Sequence, residues 1–299
     1  MTHGSLSLMA SFTVIGGTAS ENLGRKLASK LNSKYIGTEL RIFPDGESKI
    51  TLKDKPRGRI IVVQSVYPPV DSNLVRALAV ISEARRYSSH VYAVIPYLGY
   101  ARQDRQFLPG EIVTISLVAK MIKAAGATRI IVVDIHSMIA LKLFQIPAKN
   151  VSAIQELVKY FKRLKLRDPL VISPDMGGIQ RARNFARLLG VDYIALEKHR
   201  DRKTGKVIVK QGNHKEVRGR DLILVDDMIS TGSSIMKAAQ YLKRHKCGKI
   251  YATCTHALLI GDAEKKIKQA GVTKIVSTNT IPGKTGIVDV SSLIAKAIV

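Results

Sequence analysis

The chain has 299 residues, 45% hydrophobic and 24% charged, which suits one large or two ordinary globular domains and excludes a disordered or collagen-like protein. Its longest apolar runs are far too short to cross a bilayer, and its only cysteines, Cys247 and Cys254, exclude a disulfide framework and leave a zinc site without ligands. With 48 Lys and Arg against 23 Asp and Glu, the net charge of +25 draws in anionic partners.

The opening residues lack the charged start and apolar core of a secretory signal, so a reducing cytoplasm is the expected compartment. Aromatic content of 5% with no Trp offers few stacking platforms for single-stranded nucleic acid. The basic residues are spread along the chain rather than gathered in one tail. Charge by itself does not choose between nucleic acid and small phosphorylated metabolites.

In chain order, β-branched runs predict strands at 12–15, 60–64, 91–95, 129–133, 170–173, 192–196, 222–225, 250–254 and 274–277. Amphipathic patterns predict helices near 19–31, 71–87, 112–125, 152–164, 178–189, 231–245 and 261–270, with a final one at 291–299 that either half of the chain could hold. Such alternation argues for parallel sheets flanked by helices. The order also repeats: Arg57-Gly58-Arg59 opens a strand, a polar loop, a helix and the strand with Val91-Tyr92-Ala93. Arg218-Gly219-Arg220 opens the same succession, ending at Ile250-Tyr251-Ala252. The separation is that of a duplicated domain, not of a solenoid repeat, and predicts domains of 1–149 and 150–299.

Ligands of parallel α/β sheets sit beyond the carboxyl ends of strands. The strand at 222–225 runs into Asp226-Asp227 and then Ser230-Thr231-Gly232-Ser233-Ser234. Two carboxylates suit sugar hydroxyls or a hydrated Mg²⁺. The small hydroxyl residues and the N–H groups of a helix start can cradle a phosphate, with Gly232 allowing close approach. An ordinary N-capped helix explains the Ser and Thr residues equally well, but not the paired carboxylates. This stretch resembles the ribose-phosphate loop of phosphoribosyltransferase-type proteins.

Four further segments narrow the resemblance: Phe43-Pro44-Asp45-Gly46-Glu47, the run from Tyr100 through Arg102-Gln103-Asp104-Arg105, Asp134-Ile135-His136-Ser137, and Ser173-Pro174-Asp175-Met176-Gly177-Gly178. Together, in this order from about residue 12 onward, they resemble the ribose-phosphate pyrophosphokinase (phosphoribosyl pyrophosphate synthase) family; the short stretch 105–111 and the run after His136 make the chain look more like its archaeal branch. The resemblance implies two phosphoribosyltransferase-like α/β domains related by internal duplication. It also implies synthesis of phosphoribosyl pyrophosphate and AMP from ATP and ribose 5-phosphate with Mg²⁺.

Residue by residue, the resemblance implies ATP contacts at Phe43, Asp45, Gly46, Glu47, Arg102, Gln103 and His136, with residues 43–47 serving the adenine held mainly by a neighbouring subunit. It implies metal contacts at His136 and Asp175, the latter a metal or ribose contact, and ribose 5-phosphate contacts at Arg200, Asp226, Asp227, Ser230, Thr231, Gly232, Ser233 and Ser234. Lys198 and Arg200 match the family's catalytic loop, where two cations would neutralise charge in phosphoryl transfer. Arg202, Lys203 and Lys206 read as solvated surface.

Each segment also has a plainer reading. Arg-Gln-Asp-Arg is equally an ordinary charged turn, and Pro-Asp-Gly is the default turn between two strands. Asp134 and His136, on alternate positions after an apolar strand, are expected to project from one side of an extended segment. The short stretch 105–111 and the run after His136 depart from the bacterial and animal pattern, which favours a homodimer over a hexamer. Rival functions are a base-transferring phosphoribosyltransferase, a non-catalytic homologue that binds a true synthase, and a non-specific nucleic-acid binder.

Overall fold

A computed structural model describes residues 11–200, 207–210 and 217–299, with backbone alone for 197–200 and 207–210. The chain divides into two compact units. One runs to Val151 and takes back Ser291–Val299; the other comprises Ser152–Val290.

The first unit contains strands β1 (Phe12–Gly16), β2 (Lys34–Ile42), β3 (Ser48–Leu52), β4 (Arg59–Val63), β5 (Val91–Ile95), β6 (Arg129–Val133) and β7 (Ala148–Val151). Helices α1 (Glu21–Lys30), α2 (Val70–Arg85), α3 (Thr114–Ala124) and α4 (Met138–Lys142) connect them. The sheet order is β3-β2-β1-β4-β5-β6-β7, parallel throughout except for the β2–β3 hairpin. Strands β4, β5 and β6 are nearly continuous runs of Ile, Val and Ala, buried on both faces, as the covered centre of a parallel sheet requires.

The second unit contains α5 (Ile154–Lys162), β8 (Leu170–Ser173), α6 (Ile179–Leu189), β9 (Tyr193–Ala195) and a ribbon of β10 (Glu197–Arg200) and β11 (Val207–Lys210). It continues through β12 (Leu222–Ile229), α7 (Ser233–Arg244), β13 (Ile250–Ala257), α8 (Ala263–Gln269), β14 (Lys274–Thr278) and β15 (Gly286–Val288). Its main sheet, β15-β14-β13-β12-β8-β9, is parallel throughout. The core beneath α5 and α6 centres on Phe161, whose ring meets Phe185 at 5.7 Å and Tyr251 at 6.0 Å, both edge-on. Burying such a ring contributes roughly 1.5–3 kcal/mol.

The two sheets repeat one plan: β2-β1-β4-β5-β6-β7 follows the same order of connections as β9-β8-β12-β13-β14-β15. The two Arg-Gly-Arg triplets enter β4 and β12, and their central glycines take the same left-handed turn, Gly58 at φ +73 and Gly219 at φ +75. That conformation strains any side-chain-bearing residue, so the triplet match reflects a shared backbone need.

Three sequence expectations change. The boundary drawn after residue 149 cuts β7, which pairs with β6 as far as Val133↔Val151; the division falls after Val151. The final helix, α9 (Ser291–Ile298), belongs with the first unit rather than with 150–299. There it packs on α1, and the Lys149 ammonium donates to the Ala297 carbonyl at 3.2 Å. Strands β12 and β13 also run well beyond 225 and 254, because their parallel pairing continues to Ile229↔Ala257.

Candidate active site

The longer β12 places its two carboxylates inside the strand rather than after it. β8 pairs with β12 only through Leu224, whereas β13 stays paired on the other side to Ile229. Asp226 and Asp227 therefore occupy a stretch that has sheet on one side and has lost it on the other. Arg181, in the first turn of α6, reaches the pair: its Nη1 is 3.3 Å from Asp227 Oδ1 and 3.7 Å from Asp226 Oδ1. The Asp227 N–H donates to Asp226 Oδ1 at 2.8 Å. Asp227 is the deeper of the two, with 8% of its side chain exposed against 25% for Asp226. Burial, and then the neighbouring Asp227 carboxyl, push the Asp226 carboxyl up to about 7, with Arg181 opposing them.

Beyond Ile229 the chain turns through residues 230–232 into α7. Gly232 is left-handed at φ +75, and a Cβ there would collide with Ile267 of α8. The turn is braced from behind: the N–H groups of Leu258 and Leu259 donate to the Ile229 carbonyl at 2.9 and 3.0 Å, and that of Ile260 to the Ser230 carbonyl at 3.1 Å. Thr231 and Ser233 are exposed, while Ser230 and Ser234 are half-buried. The N-cap is Gly232, so no cap side chain covers the first N–H groups of α7. Such a helix start favours an anion.

Asp175 follows the adjacent β8. Its Oδ1 accepts from the Gly178 N–H at 3.2 Å, and the Ser173 hydroxyl donates to the Asp175 carbonyl at 2.6 Å. The carboxylate thus closes the Met176–Gly178 turn that leads into α6. Among the described residues, no three His, Cys, Asp or Glu side chains gather as metal ligands. Mg²⁺ bound with a polyphosphate needs only one or two carboxylates, and the half-buried carboxylate of Asp175 suits that mode of binding.

In the first unit the loops after β5 and β6 are neighbours. Arg102 and Gln103 are exposed on a turn in which the Gln103 N–H donates to the Tyr100 carbonyl at 2.8 Å. His136 is exposed beyond β6. The extended segment expected for Asp134 and His136 is broken, because Asp134 is left-handed at φ +38 and its N–H turns to the Val151 carbonyl. The one-sided projection inferred from alternation therefore does not hold. Ser137 donates to Asp104, tying the two loops together.

Residues 43–47 form the tip of the β2–β3 hairpin. The Phe43 N–H donates to the Glu47 carbonyl and the Gly46 N–H to the Phe43 carbonyl, both at 2.9 Å, while the Asp45 carboxylate accepts from the Glu47 N–H. The Arg41 guanidinium lies 5.1 Å from the Phe43 ring centroid. β2 pairs with β1 only as far as Gly37, so the rest of the hairpin leaves the sheet as a two-stranded arm. The Arg76 side chain of α2 holds that arm at Ser48, 3.0 Å away. With β1 and β4 between β2 and β5, the arm does not share a loop cluster with Arg102, Gln103 and His136.

Lys198 and Arg200 occupy β10, paired with Val209 and Val207 of β11; their side chains, and all of Arg202, Lys203 and Lys206, lie outside the described residues. Sequence reasoning missed Arg181. Its signal was a cation in the first turn of a helix, directly after Gly177-Gly178 and against the helix dipole. It also missed the bond between Ser137 and Asp104, for which separation in sequence left no signal.

Fold and site together define a class: a duplicated parallel α/β protein whose second half carries a carboxylate pair and an uncapped helix start on one strand-loop-helix segment. Residues 12–126 match the N-terminal domain of ribose phosphate pyrophosphokinase, and residues 212–299 match the phosphoribosyl synthetase-associated domain. The chain is 40% identical to a ribose-phosphate pyrophosphokinase of Methanopyrus kandleri over 92% of its own length and 94% of the relative's. It is 37% identical to that of Sulfolobus acidocaldarius over 95% and 99%. The crystal structure of phosphoribosylpyrophosphate synthetase from Mycobacterium smegmatis superimposes with a TM-score of 0.84 at 28% identity, covering 96% of this chain and 97% of that one. The chain belongs to the ribose-phosphate pyrophosphokinase family.

Proposed function

We propose that this protein transfers the pyrophosphoryl group of ATP to the 1-hydroxyl of ribose 5-phosphate, giving 5-phosphoribosyl 1-pyrophosphate and AMP. The observation that carries this reading is the β12 segment, where a carboxylate pair and the open start of α7 lie on one continuous stretch of chain. The 5-phosphate takes the N–H groups and hydroxyls of Ser230, Thr231, Gly232, Ser233 and Ser234. Asp226 and Asp227 face the 2- and 3-hydroxyls. Oxygen O1 of ribose attacks the β-phosphorus and gives up its hydroxyl proton to solvent, the bond from that phosphorus to the α-phosphate oxygen breaks, and AMP leaves with that oxygen. The chemistry needs positioning and charge neutralisation rather than a covalent enzyme intermediate. Lys198 and Arg200 supply cations to the transferring group, Arg200 also meeting ribose 5-phosphate, while Arg102, Gln103 and His136 hold ATP.

A pyrophosphokinase acting on ATP calls for a metal cofactor, and Mg²⁺ is the proposed ion, neutralising polyphosphate charge when bound. Asp175 in the second unit and His136 in the first are each proposed as metal contacts. The arm carrying Phe43, Asp45, Gly46 and Glu47 leaves its own sheet, which supports service to the adenine of a second copy and hence a homo-oligomer. A dimer is favoured and a hexamer remains compatible. No described helix is long and apolar enough to cross a membrane, and a cytoplasmic location without a specific nucleic-acid partner completes the proposal. The test is incubation with ATP, Mg²⁺ and ribose 5-phosphate. Release of AMP only when the sugar phosphate is present supports the reading, and no AMP under these conditions overturns it.

A further inference from the structure

Arg181 is out of place by local rules. It stands third in α6, whose first turn contains no acidic residue, and a cation at a helix N-terminus opposes the dipole. Its side chain is only 29% exposed, and its guanidinium lies at the two β12 carboxylates beside the gap left where β8 ends. Asp226 Oδ1 receives the Asp227 N–H on one side and faces Arg181 on the other. A planar guanidinium imposes an orientation that a point charge would not. The more exposed Asp226 is thus held between a backbone N–H and the charge of Nη1 3.7 Å away, while the deeper Asp227 takes the shorter ion pair to the same nitrogen.

We propose that Arg181 is a positioning residue of the sugar site: by spanning both carboxylates it aims Asp226 at the vicinal hydroxyls of ribose, and so sets the preference for ribose over 2-deoxyribose phosphates. The inference rests on ribose 5-phosphate binding at β12. A site built to hydrogen-bond a hydroxyl discriminates strongly against the analogue lacking it, because its polar groups are then left unpaired. Loosening the carboxylate that does the reading should erode that discrimination first. Binding of the 5-phosphate, which depends on residues 230–234, should survive. Arg181 acts through Asp226 and touches no reacting atom.

The test is calorimetric titration of the wild type, Arg181→Gln and Arg181→Lys with ribose 5-phosphate and 2-deoxyribose 5-phosphate, alongside steady-state rates. The wild type should favour the ribose sugar by about tenfold or more. Arg181→Gln should bring the two affinities to within about threefold, raising KM for ribose 5-phosphate about 10- to 100-fold while KM for ATP stays within about twofold. Arg181→Lys, which keeps the charge and guards against a variant that merely misfolds, should recover part of the preference. Adding Arg181→Gln to Asp226→Asn should cost little more, since the two act as one unit. A sugar preference in Arg181→Gln equal to that of the wild type would overturn the proposal, as would equal weakening toward both sugars. A wild type that binds and discriminates the sugars yet releases no AMP would overturn the functional reading instead, leaving the affinity ratio to decide on Arg181.

Discussion

Ser137 donates its hydroxyl proton to the Asp104 carboxylate, and so ties the loop after β6 to the loop after β5. The same Ser137 oxygen accepts the Ile139 N–H at 3.1 Å as the N-cap of α4. Asp104 is buried and also pairs with Arg105. One serine thus fixes the spacing between Arg102-Gln103 and His136, the proposed ATP contacts of the first unit.

Ser137→Ala should cost about 1 kcal/mol of stability for the lost hydrogen bond and raise KM for ATP several-fold, with little change for ribose 5-phosphate. The Ser137 hydroxyl, ahead of Arg105, holds the Asp104 carboxyl below its usual range. A carboxyl lowered by folding stabilises above its unfolded pKa, and that contribution is lost as pH falls through the lower folded value. The variant should therefore differ most from the wild type near neutral pH and converge with it in strong acid, measured by denaturant titration across pH.

Asp226 presents the opposite case. Its carboxyl is pushed up to about 7, so the folded state binds the proton more tightly than the unfolded chain does. Its contribution to stability declines as pH rises from about 4 to about 7. Asp226→Asn should consequently be more stable than the wild type at pH 8, by on the order of 1 kcal/mol, with the gain shrinking toward pH 4. The same variant should use ribose 5-phosphate poorly. Melting curves at the two pH values, set beside KM for the sugar, would expose this trade; a variant both less stable at pH 8 and kinetically normal would refute it.

How much of this was legible in the chain depends on the range of the signal. Apolar runs such as 129–133 and 170–173 match β6 and β8 residue for residue, since buried parallel strands announce themselves locally. The carboxylate pair and the small residues after it were equally visible as types in sequence. What could not be read was long-range. That β8 would stop beside Leu224, opening a gap for Arg181, depends on a crossover pairing. Strands β2 and β3 were legible only as the flanks of the Pro-Asp-Gly turn, and β7 not at all, because they carry Lys, Glu, Arg and Asn on an edge or an arm where many side chains meet water. The left-handed Asp134 defeated a period-2 argument that holds only while the strand lasts.

Lys198→Ala should lower kcat about a hundredfold to a thousandfold, as removal of one preorganised contact to developing charge does, with smaller changes in either KM and in melting temperature. Lys203→Ala should be near wild type. Normal turnover in the first variant with a dead second would show that the family match is out of register.

Phe43→Ala should raise KM for ATP about tenfold or more, given that stacking a base on an aromatic ring contributes about 1–3 kcal/mol, without altering affinity for ribose 5-phosphate. Light scattering should find a dimer or larger assembly in active preparations. An active monomer would remove the reason for a shared adenine site.

Phe161→Ala, in the core beneath α5 and α6, should destabilise by about 3–5 kcal/mol, because the contacts to Phe185 and Tyr251 are lost together. Chemical denaturation monitored by circular dichroism would measure it.

The return of α9 to the first unit has a consequence for the order in which the molecule is made. A ribosome releases the strands of the first sheet early, yet the helix that packs on α1 and whose Ala297 carbonyl Lys149 caps is translated only after the whole of the second unit. Until then the apolar residues of α9, Ile294 and Ile298 among them, have not been delivered, and the surface they cover on α1 stays wet. The intervening unit, closed between Ser152 and Val290, meets no such delay. The half begun first is therefore completed only after the second, and a nascent chain stalled just short of Ser291 should expose a sticky flank on its older half while its younger half is already formed.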